Sequence, residues 1–320
     1  MRPYARFLLV WLLVPSPTAY AIPGNHFWGF WAHKFINRMA VYRLPPELSP
    51  FFKAHIAFIS ENAVNPDRRR YAVVGEAERH FIDLDAYPGD TLPETWPEAV
   101  NRYGEEALRK HGIAPWYLQK HLYLLTEAFR EKKTDRIIRL ATDLGHYVAD
   151  IHVPLHTTRN YNGQLSGQDG VHAFWESRLP EKYANEYEFW VGPVTYLPNT
   201  TETLWATVRH THAACDSVLL FERKIYTTLP EGRRYAYEMR NQVLVKLQSA
   251  EFTDAYHKML DGQVERQMRS AIRLIGDFWY TCWVNAGQPV LDTVADSPDP
   301  EPTPSMPADT LPHTRPDVDR

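Results

Sequence analysis

Apolar residues recur at helical spacing along most of the chain. Residues 31–42 (WAHKFINRMAVY) place them on one face. Residues 116–131 follow Pro115, which suits a first helical turn. Residues 134–150 open on Thr134, a residue type that caps helices, and Pro154 limits how far they can run. Long periodic segments follow at 201–225, 233–250 and 263–286. The stretch 60–115 is richer in Pro, Gly and charge and is expected to hold loops. Strict alternation between paired turns is not evident, and neither is a repeat with a period of about 20–50 residues. The pattern predicts an all-α fold, one helical domain over residues 22–287.

The two ends read differently. Arg2 and Arg6 precede the apolar run Phe7–Val14, and Ala19-Tyr20-Ala21 has the small-residue form of a cleavage site. The run is far below the roughly 20 residues a bilayer span needs. A cleaved signal peptide over 1–21 is expected, with a secreted or periplasmic product; an uncleaved anchor is the alternative. Residues 288–320 carry eight prolines among Asp, Thr and Ser. Such a tail cannot bury enough apolar surface to offset its ordering entropy and is expected to be disordered.

Composition narrows the picture. Hydrophobic content of 44% and charged content of 23% are ordinary for a globular protein. The formal charge of −4 comes largely from the acidic tail, so the body is close to neutral. A neutral body exerts no long-range pull on a polyanion, which counts weakly against tight nucleic-acid binding. Two cysteines, Cys215 and Cys282, could pair in an oxidising compartment or remain as buried thiols.

The chemistry concentrates in HYVADIHVPLH. His146 and Asp150 are four apart and share a helix face. His156 follows just beyond Pro154. After the loop NYNGQLSGQDG come His172 and Glu176, again four apart. Upstream lie His33, Asp67 and His80. Imidazole and carboxylate are the donors zinc takes when no thiolate is offered, and this many suggest more than one ion. Asp150, in the middle of the set, could bridge two ions. Such ions suit hydrolysis of phosphate esters, because they activate a water and neutralise charge on the oxygens. A single His with a carboxylate at i+4 usually marks only a solvated helix face. His212 and Asp216 repeat that spacing with little ligand-like around them except His210, and are read as structural. His152 points off the His146–Asp150 face and is read as supporting or surface.

The order His-x3-Asp-x5-His, a loop, then His-x3-Asp/Glu resembles a superfamily that contains bacterial zinc-dependent phospholipases C and fungal and plant zinc-dependent single-strand-specific nucleases. The resemblance is strong over about 28–180 and only general beyond. It implies that Asp67, His80, His146 and Asp150 hold a first zinc, and that His156, His172 and Glu176 hold a second. His33 and Asp150 would help hold a third, with Asp150 bridging. Trp28 matches the family's N-terminal Trp, which gives that third ion its amine and carbonyl. Cleavage after Ala21 would leave six residues before Trp28, which then has no free amine. The third site would then need a second cleavage after Phe27 or other groups such as His26, or it would stay empty.

HYVADIHVPLH, Glu176 and the short gap from His156 to His172 lean toward the phospholipase branch. HAFWESRLPEKY is similar to a nuclease segment, and HFID at 80–83 fits both branches. The expectation is therefore a zinc-dependent phosphodiesterase of phospholipase C type, with Asp67 as ligand and candidate base. Phe81 and Asp83 are candidates for substrate binding. Phe30, Trp31 or Phe81 could cradle a choline-type cation. The alternatives are a nuclease or nucleotidase, with Arg68-Arg69-Arg70 holding phosphates, and a non-catalytic zinc protein. The expected partners are a phospholipid or nucleic-acid substrate and transient contact with a membrane surface; no stable protein partner is implied.

Overall fold

The computed structural model describes residues 29–292, apart from 88, 90–91 and 241–242. The expected signal peptide, the tail, His26 and Trp28 therefore lie outside the described residues. Helix accounts for 67% of the structure and strand for 4%, in keeping with the all-α expectation.

Seven longer helices form the body: α1 (Phe30–Val41), α2 (Ala114–Arg130), α3 (Thr134–Asp150), α4 (Thr200–His212), α5 (Cys215–Thr228), α6 (Ala250–Leu260) and α7 (Gln263–Asn285). α7 packs along α1, α2 and α3, and α3 in turn lies against α1 and α2. The packing follows from sequence. α3 keeps Arg136 and Arg139 outside while Ile137, Ile138, Ala141, Leu144 and Val148 are buried. One contiguous core results, with Trp175, Trp205, Trp279, Phe52 and Phe129 fully enclosed. Phe52 stacks on Trp279 at 4.9 Å, and the indole N–H of Trp279 donates to the Ala141 carbonyl at 3.0 Å. No described helix is long and apolar enough to cross a membrane.

Two expectations need correction. Residues 233–250 are not a helix. They hold a short helical turn, Glu231–Arg234, and then an antiparallel hairpin of β1 (Tyr235–Arg240) and β2 (Val243–Gln248), with Met239 opposite Leu244. The period there is two. Tyr235, Tyr237 and Met239 face outward, while Ala236 and Glu238 are half-buried. β-Branched and aromatic residues suit that pleated surface better than a helix. The expected helix 201–225 breaks between His212 and Cys215, giving α4 and α5. Residues 60–115 hold loops as expected, together with the short helices Asn65–Arg69, Trp96–Tyr103 and Glu105–Lys110.

Thr134 is the first helical residue rather than a cap, because Lys133 takes that position without a capping hydrogen bond. The cysteines do not pair. Both are buried free thiols, with Cys215 Sγ 2.8 Å from the Pro154 carbonyl and Cys282 Sγ 3.5 Å from that of Leu122.

Candidate metal centre

Seven parts of the fold converge on one buried place. α1 brings His33, and the turn of α3 before Pro154 brings His146 and Asp150. Asn65–Arg69 brings Asp67, and the 3-10 turn Ala77–His80 brings His80. The 3-10 turn Pro154–Thr157 supplies His156, tied to the strand-like segment after His80 by the Ile82 N–H donating to the His156 carbonyl at 2.9 Å. Val171–Ala173 supplies His172. A π-helical turn, Phe174–Arg178, supplies Glu176. All eight are buried except His172, which is half-buried.

Their donor atoms form three groups, each within 4.8 Å: His33, His146 and Asp150; Asp67, His80 and His146; and His156, His172 and Glu176. Asp150 touches all three. Its Oδ2 lies 2.9 Å from His80 Nδ1 and 3.2 Å from His146 Nε2. Its Oδ1 lies 3.6 Å from His33 Nε2 and 3.4 Å from His156 Nδ1. Asp67 Oδ1 is 3.6 Å from His80 Nδ1 and 3.7 Å from His146 Nε2. Glu176 Oε2 is 3.0 Å from His172 Nε2 and 3.5 Å from His156 Nε2.

These spacings test the fit of a metal. Bonds of about 2.0–2.2 Å at tetrahedral angles put neighbouring donors roughly 3.3–3.6 Å apart. Most of the observed separations fall near that range and beyond an ordinary N–H···O bond. Asp67 Oδ2, His80 Nε2, His156 Nδ1 and both Glu176 oxygens are buried without a hydrogen-bond partner. Orphaned polar atoms at such depth are costly, so a group that collects them accounts for their survival. The clusters could hold metal ions.

The electrostatics are those of an ion-free nest of opposed groups. Burial lowers His33 to about 3, helped by the nearby His146. Burial likewise pushes His80 well below its usual value. Burial also disfavours charge on His146, yet Asp150 and Asp67 outweigh it and raise the imidazole to about 9. Burial raises Asp67 to about 6. Asp150 and Glu176 are desolvated too, but their imidazole neighbours hold Asp150 well below the carboxylate range and Glu176 at about 2.

Supporting contacts orient the donors. His146 Nδ1 donates to the Ala63 carbonyl at 2.8 Å, which turns Nε2 inward. Asn37 Nδ2 reaches the His33 carbonyl at 3.3 Å. Glu76 backs His80 at 3.9 Å, accepts from Tyr147 Oη and binds Arg69 at 3.1 Å. The motif reading missed Glu76 and Asn37, although Glu76 stands four residues before His80.

Other expected residues fall outside the donor groups. Phe81 is buried, and its carbonyl accepts from the Ala114 N–H at 3.2 Å. Asp83 is buried with its carboxylate 3.3 Å from His111 Nδ1. Phe30 already carries the Arg68 guanidinium at 5.6 Å, and Trp31 stacks on Phe35 at 5.0 Å. Arg69 is locked to Asp143 at 2.7 Å and Arg70 is buried, so the arginine run is not a solvated strip. His152 is buried rather than on the surface. His212 sits 3.1 Å from Thr157 Oγ1, and the break between α4 and α5 separates it from Asp216. No protein-family model matches the chain, and a search of curated proteins finds no match.

Proposed function

We propose that the chain is a zinc-dependent phosphodiester hydrolase of phospholipase C type, on the helical scaffold of the superfamily that also contains the zinc-dependent single-strand-specific nucleases. The observation that carries the reading is Asp150, whose two oxygens lie within 3.6 Å of His33, His80, His146 and His156. One carboxylate meeting four imidazoles at ligand spacing is what a bridge between neighbouring ions requires. Imidazole and carboxylate without thiolate suit zinc.

Asp67, His80, His146 and Asp150 would hold one ion, and His156, His172 and Glu176 another. His33 and Asp150 would share a third, with Trp28 its remaining candidate. Bound zinc supplies Lewis acidity toward phosphoryl oxygens and eases deprotonation of a water. The chain's own part is to orient and to accept a proton. Asp67 keeps Oδ2 buried and unpartnered, and we assign it the role of orienting the water and accepting its proton. Phe81 and Asp83 are assigned to substrate binding. The reading includes export directed by residues 1–21 and brief contact with a lipid surface. The near-neutral body favours lipid over polyanion.

The test is a paired incubation of the zinc-loaded protein with phosphatidylcholine vesicles and with single-stranded DNA. Phosphocholine release with intact DNA is expected. Nucleotide release alone would replace the lipid reading with the nuclease one. Turnover of neither, with zinc bound, would leave a non-catalytic zinc protein.

A further inference from the structure

The β1–β2 hairpin takes no part in the proposed hydrolysis, and one of its faces lies open to solvent. Strand alternation and the register put Tyr235, Tyr237 and Met239 of β1 on that face, together with Leu244, Lys246 and Gln248 of β2. Tyr237 is 67% exposed, Met239 65% and Leu244 60%. Met239 pairs with Leu244 and Tyr237 with Lys246, so these side chains are neighbours across the strands. Single exposed apolar residues are ordinary, but adjoining ones form a patch that marks a contact surface.

The opposite face is already engaged. Ala236, Glu238, Val245 and Leu247 are half-buried on it. Glu238 accepts from Arg178 at 2.8 Å, and Arg178 closes the turn that carries Glu176. The one acid of the two strands is thus turned away from the open face and matched by a guanidinium. The open face keeps a cation, Lys246, whose ammonium lies 4.1 Å from the centre of the Tyr235 ring. The surrounding segment is basic. Residues 223–248 hold six Lys and Arg against two acids, in a body close to neutral as a whole.

Polarity is graded along the open face. Met239 and Leu244 stand nearest the end where the strands join, Tyr237 and Lys246 come next, and Tyr235 and Gln248 lie at the base. Apolar side chains at the tip, then phenol rings and an ammonium, follow the order met on going into a bilayer from its headgroups. A single-stranded nucleic acid would use the rings and the cations but has no use for the Met239–Leu244 pair. A second copy of the chain would bring like charges together.

We propose that the open face of the hairpin docks the protein on an anionic lipid surface, with Met239 and Leu244 in the bilayer and Lys246 among headgroup phosphates. The basic segment is drawn to the negative surface, and the apolar pair holds it there. The docking rests on the hydrolase reading for its purpose, which is to bring the metal centre to a phospholipid substrate.

The test is co-sedimentation of the zinc-loaded, full-length protein, in the cold, with vesicles of phosphatidylcholine alone or mixed with phosphatidylglycerol. Hydrolysis of water-soluble p-nitrophenyl phosphorylcholine is followed in parallel. The protein is expected to pellet with the mixed vesicles and to stay largely in solution with phosphatidylcholine alone. Lys246→Glu should lower partitioning onto the mixed vesicles by about tenfold. Met239→Ser combined with Leu244→Ser should abolish it. Both variants should hydrolyse the soluble diester as the wild type does. Failure of the wild type to pellet, or equal pelleting with both vesicles, would overturn the proposal. So would pelleting that persists in the double variant, as an anchor in the apolar run at 7–14 would give. A wild-type dimer that the double variant splits would assign the face to a second copy instead, and single-stranded DNA held by the wild type but released by Lys246→Glu would assign it to nucleic acid. Pelleting without hydrolysis of the soluble diester refutes the hydrolase reading and leaves the docking face; hydrolysis without pelleting does the reverse.

Discussion

Gly145 offers the sharpest test of how the centre is held. It lies on α3 beside His146, where α3 meets α1. A methyl built on it would stand 1.9 Å from Asn37 Oδ1, 2.7 Å from Cγ and 3.0 Å from Nδ2. Ordinary contact needs about 3.5 Å, so something must yield by roughly 1.5 Å. Asn37 is fully buried and supports the His33 carbonyl. If its amide turns, a buried hydrogen bond is lost, at about 1–3 kcal/mol. If instead α1 retreats, His33 leaves its stack on His146 at 4.0 Å and its place 3.6 Å from Asp150. Overpacking of this kind costs about 1–3 kcal/mol.

Against this stands the better helix propensity of alanine, worth about 1 kcal/mol. The crowding and lost hydrogen bond together outweigh it, and Gly145→Ala is expected to destabilise by about 1–5 kcal/mol. Urea unfolding of the metal-free protein measures this directly. Metal analysis of the same variant should show the ion nearest His33 lost first. A variant as stable as the parent, or more so, would refute the close-approach argument, because an open helix position gains from the same change.

The remaining predictions concern the ions. Asp150→Asn should lose bound metal and phosphodiesterase activity together, read by metal analysis and product release; retention of both would end its bridging role. Chelation should lower the melting temperature, since an ion present at about a thousand times its Kd stabilises by about 4 kcal/mol; an unchanged melting curve would count against buried sites. Metal uptake should release protons. His146, held near 9 in the ion-free protein by Asp150 and Asp67, must shed one at pH 7, and Asp67 adds another below about 6. Affinity should therefore rise with pH from 6 to 9 and more steeply below 6, which zinc titrations in buffers of different ionisation enthalpy would detect; a pH-independent affinity contradicts the assignment.

The donor residues were legible because their chemistry is carried by residue type and short spacing. His146 with Asp150, and His172 with Glu176, need only helical periodicity to be paired. The long helices were legible for the same reason, and the segment 134–150 is matched in full by α3. Residues 233–250 mislead because their apolar positions admit a helical period, although Tyr235, Tyr237 and Met239 alternate with Ala236 and Glu238. Asn37 was not legible at all. Its role depends on which helix crosses α1 and on the absence of a side chain at Gly145, and neither follows from local spacing. Glu76 was legible in position but not in purpose, since its partners Tyr147 and Arg69 are brought to it only by folding.

The π turn at Phe174–Arg178 has a consequence for how this region can change over time. Such a turn holds one residue more than the same length of α-helix needs. The extra residue could therefore be lost while the helix from Leu179 onward keeps its place. What would change is the direction of the side chains inside the turn, and Glu176 is one of them. The carboxylate's aim and the number of residues in the turn are thus tied to each other.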